Sequence, residues 1–393
     1  MCSDTLHRQH PQSHATILQA IYLLFLLSFL LLTFFSSLKW TFDTKLIDAM
    51  RDQCTAVLNS ALLLALLANV GFSLRRLQKG NETQSQDTTD LLIIIALLAC
   101  AFAMATANIN KPFGPALLLC LARRVPSRRV AWVLFVFVAS WIILAVVTCT
   151  LGLSEDVVKE FSYGTCHSFG FVNPNTLGLY TFLTFAFGWY LFGNRRQVLF
   201  AIIGVAVAVL CFSASGSRSA AAMIIVLVVL SAVPRIPKFV PRKVFSICFL
   251  LLPLIMAAIS ILLGVILAPF DDGQSVDSNF VCRFVEGVYA FNQDGIHMLP
   301  WDYSTPERQF FFDNAYLYWI FRAGIFAALG FFGFTILTNW LAEKRGDRAE
   351  MILIACAALY CCMERSLTLV MLLILAYCYH SSQGKSIWQE SES

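Results

Sequence analysis

Ionisable side chains are scarce in this chain: 13% of its 393 residues are charged and 58% are hydrophobic, whereas an average soluble domain carries about 25% charged residues. That deficit excludes a soluble fold. The apolar runs 17–38, 130–151 and 244–268 contain no Asp, Glu, Lys or Arg, and each reaches the roughly 20 residues a helix needs to cross the hydrocarbon layer. The alternation of apolar and polar residues that marks membrane strands is missing from them, which leaves helices. No small-x-small cleavage site follows the first run, and its apolar stretch exceeds the about 7 to 15 residues of a secretory signal. It reads as a retained span. Neither a repeat nor a low-complexity tract stands out, and the polar stretch 79–90 is a plain loop. The 13 cysteines lie mostly inside apolar runs, as at Cys100, Cys149, Cys211, Cys248, Cys361 and Cys378, where a thiol behaves as a small apolar side chain.

What is present is a succession of apolar segments. The expected architecture is an all-α polytopic bundle of about twelve spans forming one integral membrane domain over 1–393. The spans are placed at 17–38, 54–74, 90–108, 112–122, 130–151, 173–193, 197–214, 219–233, 244–268, 316–340, 350–363 and 366–380, from the length rule for membrane helices. The fourth, eleventh and twelfth are short and read as re-entrant or tilted. Lys and Arg concentrate in alternate connections: Arg75/Arg76/Lys79, Arg123/Arg124/Arg128/Arg129, Arg195/Arg196, Arg235/Lys238/Arg242/Lys243 and Lys344/Arg345/Arg348. The positive-inside rule makes that side, with both termini, cytoplasmic. The Asn81-Glu82-Thr83 glycosylation triplet falls on the same side and is discounted. Two outer connections are long, 152–172 and the large loop 269–315, and the second carries aromatics, Arg, His and acids instead of Gly/Ser filler.

A charge at membrane depth costs at least about 2.5 kcal/mol on insertion scales, and here none lies near the middle of a span. Arg218 interrupts two runs within Ser215-Gly216-Ser217-Arg218-Ser219, Arg322 lies one to two turns into the tenth span, and Glu364-Arg365 separates the last two runs. An ion-coupled transporter places acids or His at the midplane of broken helices in repeated halves. This chain has neither. Its polar groups form instead a ring at one membrane surface, suited to a reaction on a lipid head group; taken singly, Arg218 and Arg365 also fit interfacial anchors.

The segment His167-Ser168-Phe169-Gly170-Phe171-Val172-Asn173-Pro174-Asn175-Thr176-Leu177-Gly178 leads from the first outer loop into the sixth span. As local structure, Asn-Pro-Asn is a helix-start arrangement, with proline tolerated in the first turn and an Asn side chain receiving free N–H groups. It also resembles the GFxNPN signature of Wzy-type polysaccharide polymerases, in the O-antigen polymerase and ligase superfamily. Three further features resemble that family in the same order. These are the Ser-Gly-Ser-Arg-Ser stretch around Arg218, then Asn279 to Phe284 with Arg283 and Phe312-Asp313-Asn314-Ala315-Tyr316, and finally Glu364 between the last two spans. The likeness covers roughly residues 90 to 380 in layout. Where family members often carry an Arg just before the signature, this chain has Cys166 and His167.

The resemblance implies a glycosyltransferase-C-like bundle on the outer face of a bacterial inner or plasma membrane. It implies an enzyme that joins polyprenyl-diphosphate-linked oligosaccharides, as donor and acceptor, into O-antigen, capsule or exopolysaccharide. A flippase and a chain-length regulator are partners of the same implied system, membrane lipid is a contact, and nucleic acid is not a partner. The departing diphosphate builds negative charge, which fixed arginines stabilise. Arg218 and Arg283 are the candidate clamp and Arg322 the third cation, with a structural pair to Asp313 or Glu364 as its alternative. His167, Glu286 and Asp313 are the candidate bases; Asp313 reads equally as the cap of the tenth span. Asn173, Asn175, Asn314, Tyr316, Arg322 and Glu364 are the candidate substrate-binding set, and His297 reads as an ordinary loop histidine. No cofactor and no metal are expected, Asp271-Asp272 reading as a solvated pair. A disulfide between Cys166 and Cys282 would join the two outer loops. The competing functions are a ligase that passes the finished glycan to another acceptor and a transporter of lipid-linked sugars.

Overall fold

The computed structural model describes residues 10–42, 45, 49, 52–58, 60–61, 64, 67, 125–161, 164–193, 196–232, 242–270, 278–301, 312–346 and 348–364. The expected spans at 90–108, 112–122 and 366–380, most of that at 54–74, and the basic residues Arg75, Arg76, Lys79, Arg123, Arg124, Arg195, Arg235 and Lys238 lie outside them. The helices in chain order are α1 His10–Ser37, α2 Ser127–Thr150, α3 Pro174–Phe192, α4 Gln197–Ser215 and α5 Arg218–Ala232. They continue as α6 Arg242–Leu250, α7 Leu252–Leu267, α8 Ser278–Asp294, α9 Ile325–Arg345 and α10 Arg348–Cys361. Among the described residues, 5 segments are long and apolar enough to cross a membrane: Gln19–Ser37, Ser127–Thr150, Gln197–Ser215, Leu252–Phe270 and Ile325–Lys344. The chain is thus a mostly helical membrane protein.

α3 is the axis of the bundle. Its sequence is apolar or aromatic on every face, the pattern of a helix surrounded by others, and Leu183, Phe182, Ala186, Phe187, Trp189 and Tyr190 are all buried. α2, α4 and α5 pack around it, and α10 closes the ring. Phe182 stacks on Tyr360 of α10, with ring centroids 5.3 Å apart. By contrast, α2 and α4 leave Val136, Ile143, Val147, Ile202, Val205, Val209 and Leu210 exposed, as helices facing lipid do.

Three expectations about the elements change. The span at 244–268 is two helices, broken at Leu251. The reason is Pro253, whose missing N–H leaves the Phe249 carbonyl without its helical donor. The Asn339 side chain, from α9, supplies one instead, its Nδ2 donating to Phe249 O at 2.7 Å and to Leu250 O at 3.4 Å. Asn339→Ala is therefore expected to destabilise the protein by about 1–3 kcal/mol, the cost of leaving a buried polar group unmet. Thermal unfolding in detergent checks this, with an unchanged midpoint as the contrary result.

The tenth span begins later than residue 316. A short helical turn Ala315–Leu317 runs into a π turn Tyr318–Arg322, the chain breaks at Gly324 with φ +86, and α9 starts at Ile325. Arg322 accordingly sits before the span, not one to two turns inside it. The large outer loop is also not irregular throughout, since it contains α8. Phe284, Val285 and Ala290 of α8 are buried and the helix lies along α7. Its apolar residues Val281, Phe284, Val285 and Val288 follow the helical spacing, a signal present in the sequence.

The first outer loop carries a short element of its own. It forms an antiparallel hairpin, β1 Lys159–Phe161 and β2 Gly164–Cys166. It is also stitched to the end of α1: Lys39 N–H donates to Gly170 O at 2.9 Å, Glu155 N–H to Lys39 O at 2.7 Å and Val172 N–H to Ser37 O at 2.9 Å.

Candidate functional site

One end of the bundle collects the ends of α1, α2, α4 and α10 and the starts of α3, α5 and α9. The basic residues Arg129, Arg196, Lys344 and Arg348 lie at the opposite end. There Arg129 donates to Gln19 Oε1 at 2.7 Å, and Arg348 reaches the last carbonyls of α5, Leu230 O at 3.3 Å and Ser231 O at 3.2 Å. A cation there meets the negative end of the helix dipole. The first end forms a rim that carries the candidate residues.

The rim is built on the signature segment. Asn173 caps α3, its side chain accepting the Asn175 N–H at 3.0 Å with Pro174 in the first turn. Asn173 and Asn175 are half-buried. Gly170 has φ +92, and a Cβ there would lie 2.8 Å from the Ala145 carbonyl oxygen and 2.5 Å from Ser154 Oγ. A side chain at Gly178 would collide with Ser217 Cβ, so glycine lets α3 press against the turn that carries Arg218. Both glycines of the signature thus have packing reasons.

His167 hangs from this frame. Its Nδ1 lies 2.7 Å from Asp156 Oδ2, and the other carboxylate oxygen, Oδ1, accepts the N–H groups of Ser168 and Phe169 at 2.9 Å each. Burial pushes the Asp156 carboxyl up, but the hydrogen bonds from His167, Phe169 and Ser168 outweigh it and hold the group below its usual range. Asp156 is not among the residues that the sequence singles out. Because its pKa is depressed, its bonds are intact above the ordinary carboxylate range and are lost as pH falls through the lowered value. Hydrogen exchange at Ser168 and Phe169, expressed as protection factors, is expected to lose protection only in that acid window. Protection that is flat with pH is the contrary result.

Arg218 is the first residue of α5 and is exposed at the rim. It lies close enough to Cys166 for its charge to favour that thiolate, although burial dominates and pushes the thiol up. The turn holding it is tied to the signature by the His167 N–H, which donates to Ala214 O at 3.0 Å. Next in the chain, the Ser219 hydroxyl donates to Glu364 Oε1 at 3.2 Å. Glu364 also receives Arg283, at 3.3 Å, and the same guanidinium donates to the Met363 carbonyl. Burial drives the Glu364 carboxyl above its usual range; Arg283 opposes the rise without cancelling it, and nearby Asp313 adds to it.

Arg283 is therefore neither solvated nor in a loop. It lies on α8, its side chain 16% exposed, paired with Glu364 at 17%. Glu364 takes Arg283, not Arg322, as its partner. The cap of the turn at 315 is Asn314, whose Oδ1 accepts the N–H groups of Tyr316 at 2.9 Å and Leu317 at 3.3 Å. Asp313 is left exposed at the rim instead of capping. Asn314 is buried and its Nδ2 donates to Ser260 Oγ at 2.9 Å, while Tyr316, stacked near Phe332, donates its hydroxyl to Ala358 O at 2.9 Å. Both spend their polar atoms on the fold. Glu286 Oε2 accepts the Phe312 N–H at 2.5 Å. Phe312 and Phe169, with φ of 46 and 47, are the non-glycine residues at positive φ among the described residues, and each has its N–H held by a carboxylate.

Asp271, Asp272 and Arg365 lie outside the described residues, and among the described residues no cluster of three metal-binding side chains occurs. Cys166 and Cys282 both carry thiols. His297 stacks on Trp301, centroids 4.3 Å apart. The geometry joins His167, Arg218, Arg283, Asp313 and Glu364 at one rim and gives Asn314, Tyr316 and Glu286 structural partners. No protein-family model, curated protein or solved structure matches the chain.

Proposed function

We propose that this chain is a membrane glycosyltransferase that polymerises polyprenyl-diphosphate-linked oligosaccharide units at the outer face of a bacterial inner or plasma membrane, with both termini cytoplasmic. The observation that carries the reading is convergence. Four segments far apart in sequence, around His167, Arg218, Arg283 and Glu364, meet at one end of the bundle, linked by Ser219–Glu364 at 3.2 Å and Arg283–Glu364 at 3.3 Å.

The reaction asks for little else. An acceptor hydroxyl attacks the anomeric carbon, the bond from that carbon to the diphosphate breaks, and charge grows on the departing oxygens. Arg218 suits those oxygens. It stands at a helix N-terminus, where a cation is unfavourably placed against the dipole and an anion is welcome. Its guanidinium and the first N–H groups of α5 together favour a phosphate more in the transition state, when charge is greatest. Arg283, already paired with Glu364, contributes through the donors that pair leaves over and fixes α8 against α10. The lipid tail stays beside the apolar helix faces.

Deletion in the native host tests the proposal. Surface glycan reduced to one repeat unit is expected. Chains of normal length would overturn it, and lipid-linked units stranded on the cytoplasmic face would make the protein a flippase.

A further inference from the structure

We propose that Asp156 and His167 form a proton-accepting dyad, in which Asp156 positions the imidazole so that His167 Nε2 is the base for an acceptor hydroxyl. The identity of that hydroxyl rests on the glycosyl-transfer reading; the dyad rests on geometry. Asp156 Oδ1 is occupied by two backbone N–H groups at 2.9 Å, and Oδ2 faces His167 Nδ1 at 2.7 Å. A carboxylate placed so accepts and does not donate. The proton between them therefore belongs to Nδ1, and the lone pair is on Nε2. Nδ1–H bonding to a carboxylate also fixes the orientation of the ring, as it does for imidazoles that bind metals.

The surroundings place that nitrogen usefully. The His167 side chain is 41% exposed, and its own N–H is pinned to Ala214, four residues before Arg218. Cys149, at the end of α2, lies near Asp156, Glu155 is its chain neighbour, and Arg218 from α5 lies near Cys166 of β2, the residue before His167. The other candidate bases are differently employed: Glu286 holds Phe312 N–H, and Asp313 faces Glu364. In the step itself the acceptor oxygen bonds to the anomeric carbon and its proton passes to Nε2. The carbon–oxygen bond to the diphosphate breaks, and the electron pair leaves with the diphosphate. Asp156 remains ionised throughout, as a positioning residue.

Asp156→Asn isolates this role. The amide oxygen still accepts from Ser168 and Phe169, while an NH2 group replaces the oxygen facing Nδ1 and cannot accept from it. In full-length protein reconstituted into vesicles with a polyprenyl-diphosphate oligosaccharide, turnover is expected to fall by roughly 10²–10⁴-fold, the usual share of a general base. Donor half-saturation should not change, and Asp156→Glu should recover part of the rate. A second readout needs no sugar. Diethyl pyrocarbonate should acylate His167, followed by peptide mass, more slowly in Asp156→Asn than in wild type, since the amide turns the lone pair inward. Equal acylation rates overturn the dyad whatever the turnover. A turnover loss matched by a rise in donor half-saturation overturns the positioning role. Wild-type protein that transfers no sugar yet shows Asp156-dependent acylation keeps the dyad and removes the transfer reading.

Discussion

Arg218→Ala is expected to abolish chain extension while the protein inserts and folds normally. The guanidinium lies at the first residue of α5, exposed, so its loss removes little packing. On the proposed reading, what disappears is a cation beside the departing diphosphate. Groups of this kind are worth about 10²–10³ in rate when removed singly. The remaining N–H groups of the helix terminus cannot replace a full charge. Lysine keeps the charge but not the planar fork that meets two phosphate oxygens at once, so Arg218→Lys should recover only part of the rate. The measurement is the product ladder formed from a polyprenyl-diphosphate oligosaccharide by purified protein, with thermal unfolding as the control on folding. A wild-type ladder from Arg218→Ala would remove the clamp from the mechanism.

The second large effect concerns the pair between Arg283 and Glu364. Their side chains are 16% and 17% exposed and 81 residues apart in sequence, and they join α8 to the end of α10. Removing either partner leaves a mostly buried charge without its ion-pair partner. Breaking such a pair costs about 3–5 kcal/mol when fully buried; with a sixth of each side chain exposed, about 2–4 kcal/mol is expected for Arg283→Ala. Glu364→Ala removes the acceptor of Ser219 as well, and should cost a similar amount. The double variant should cost clearly less than the sum of the two, because the second substitution removes the charge that the first left stranded. Thermal or denaturant unfolding of all four proteins in one detergent gives the coupling. Strict additivity would mean that the pair carries no interaction. Activity separates the two arginines further: Arg283→Ala should lose stability and rate together, whereas Arg218→Ala loses rate alone.

Part of the rim is legible in the sequence alone. Asn-Pro-Asn is a local pattern, and Asn173 does cap α3 onto Asn175 N–H as the pattern expects. Capping depends on residues two apart, which sequence spacing already specifies. The same local logic misleads at 313–316. Asp313 and Asn314 are both good caps, and choosing between them requires the backbone: the break after Phe312, at φ 46, puts Asn314 at the cap. Tyr316 is a candidate substrate contact through the resemblance alone, and its hydroxyl donates to the Ala358 carbonyl, 42 residues away.

Asp156 illustrates the opposite failure. Glu155 and Asp156 are chemically equivalent in the sequence, and neither carries a motif. Glu155 turns its N–H to Lys39 O, while Asp156 faces His167 because the hairpin β1–β2 folds the chain back over eleven residues. A residue-by-residue reading has no means of preferring one acid over the other. α8 is an intermediate case, since its apolar spacing is readable and only the length of the loop hides it.

The sequence by itself determined that this is a helical membrane protein, where most of its described helices lie, and that Arg129, Arg196, Lys344 and Arg348 share one end of the bundle. Those properties are sums over neighbouring side chains, because transfer from water to lipid depends on local apolar area and on isolated charges. Only the tertiary structure decided that Arg283 pairs with Glu364, that Arg218 faces outward, and that His167 has a carboxylate behind it. The two pairings are set by approaches of about 3 Å between groups 11 and 81 residues apart, and a hydrogen bond of that length is a property of the packed fold.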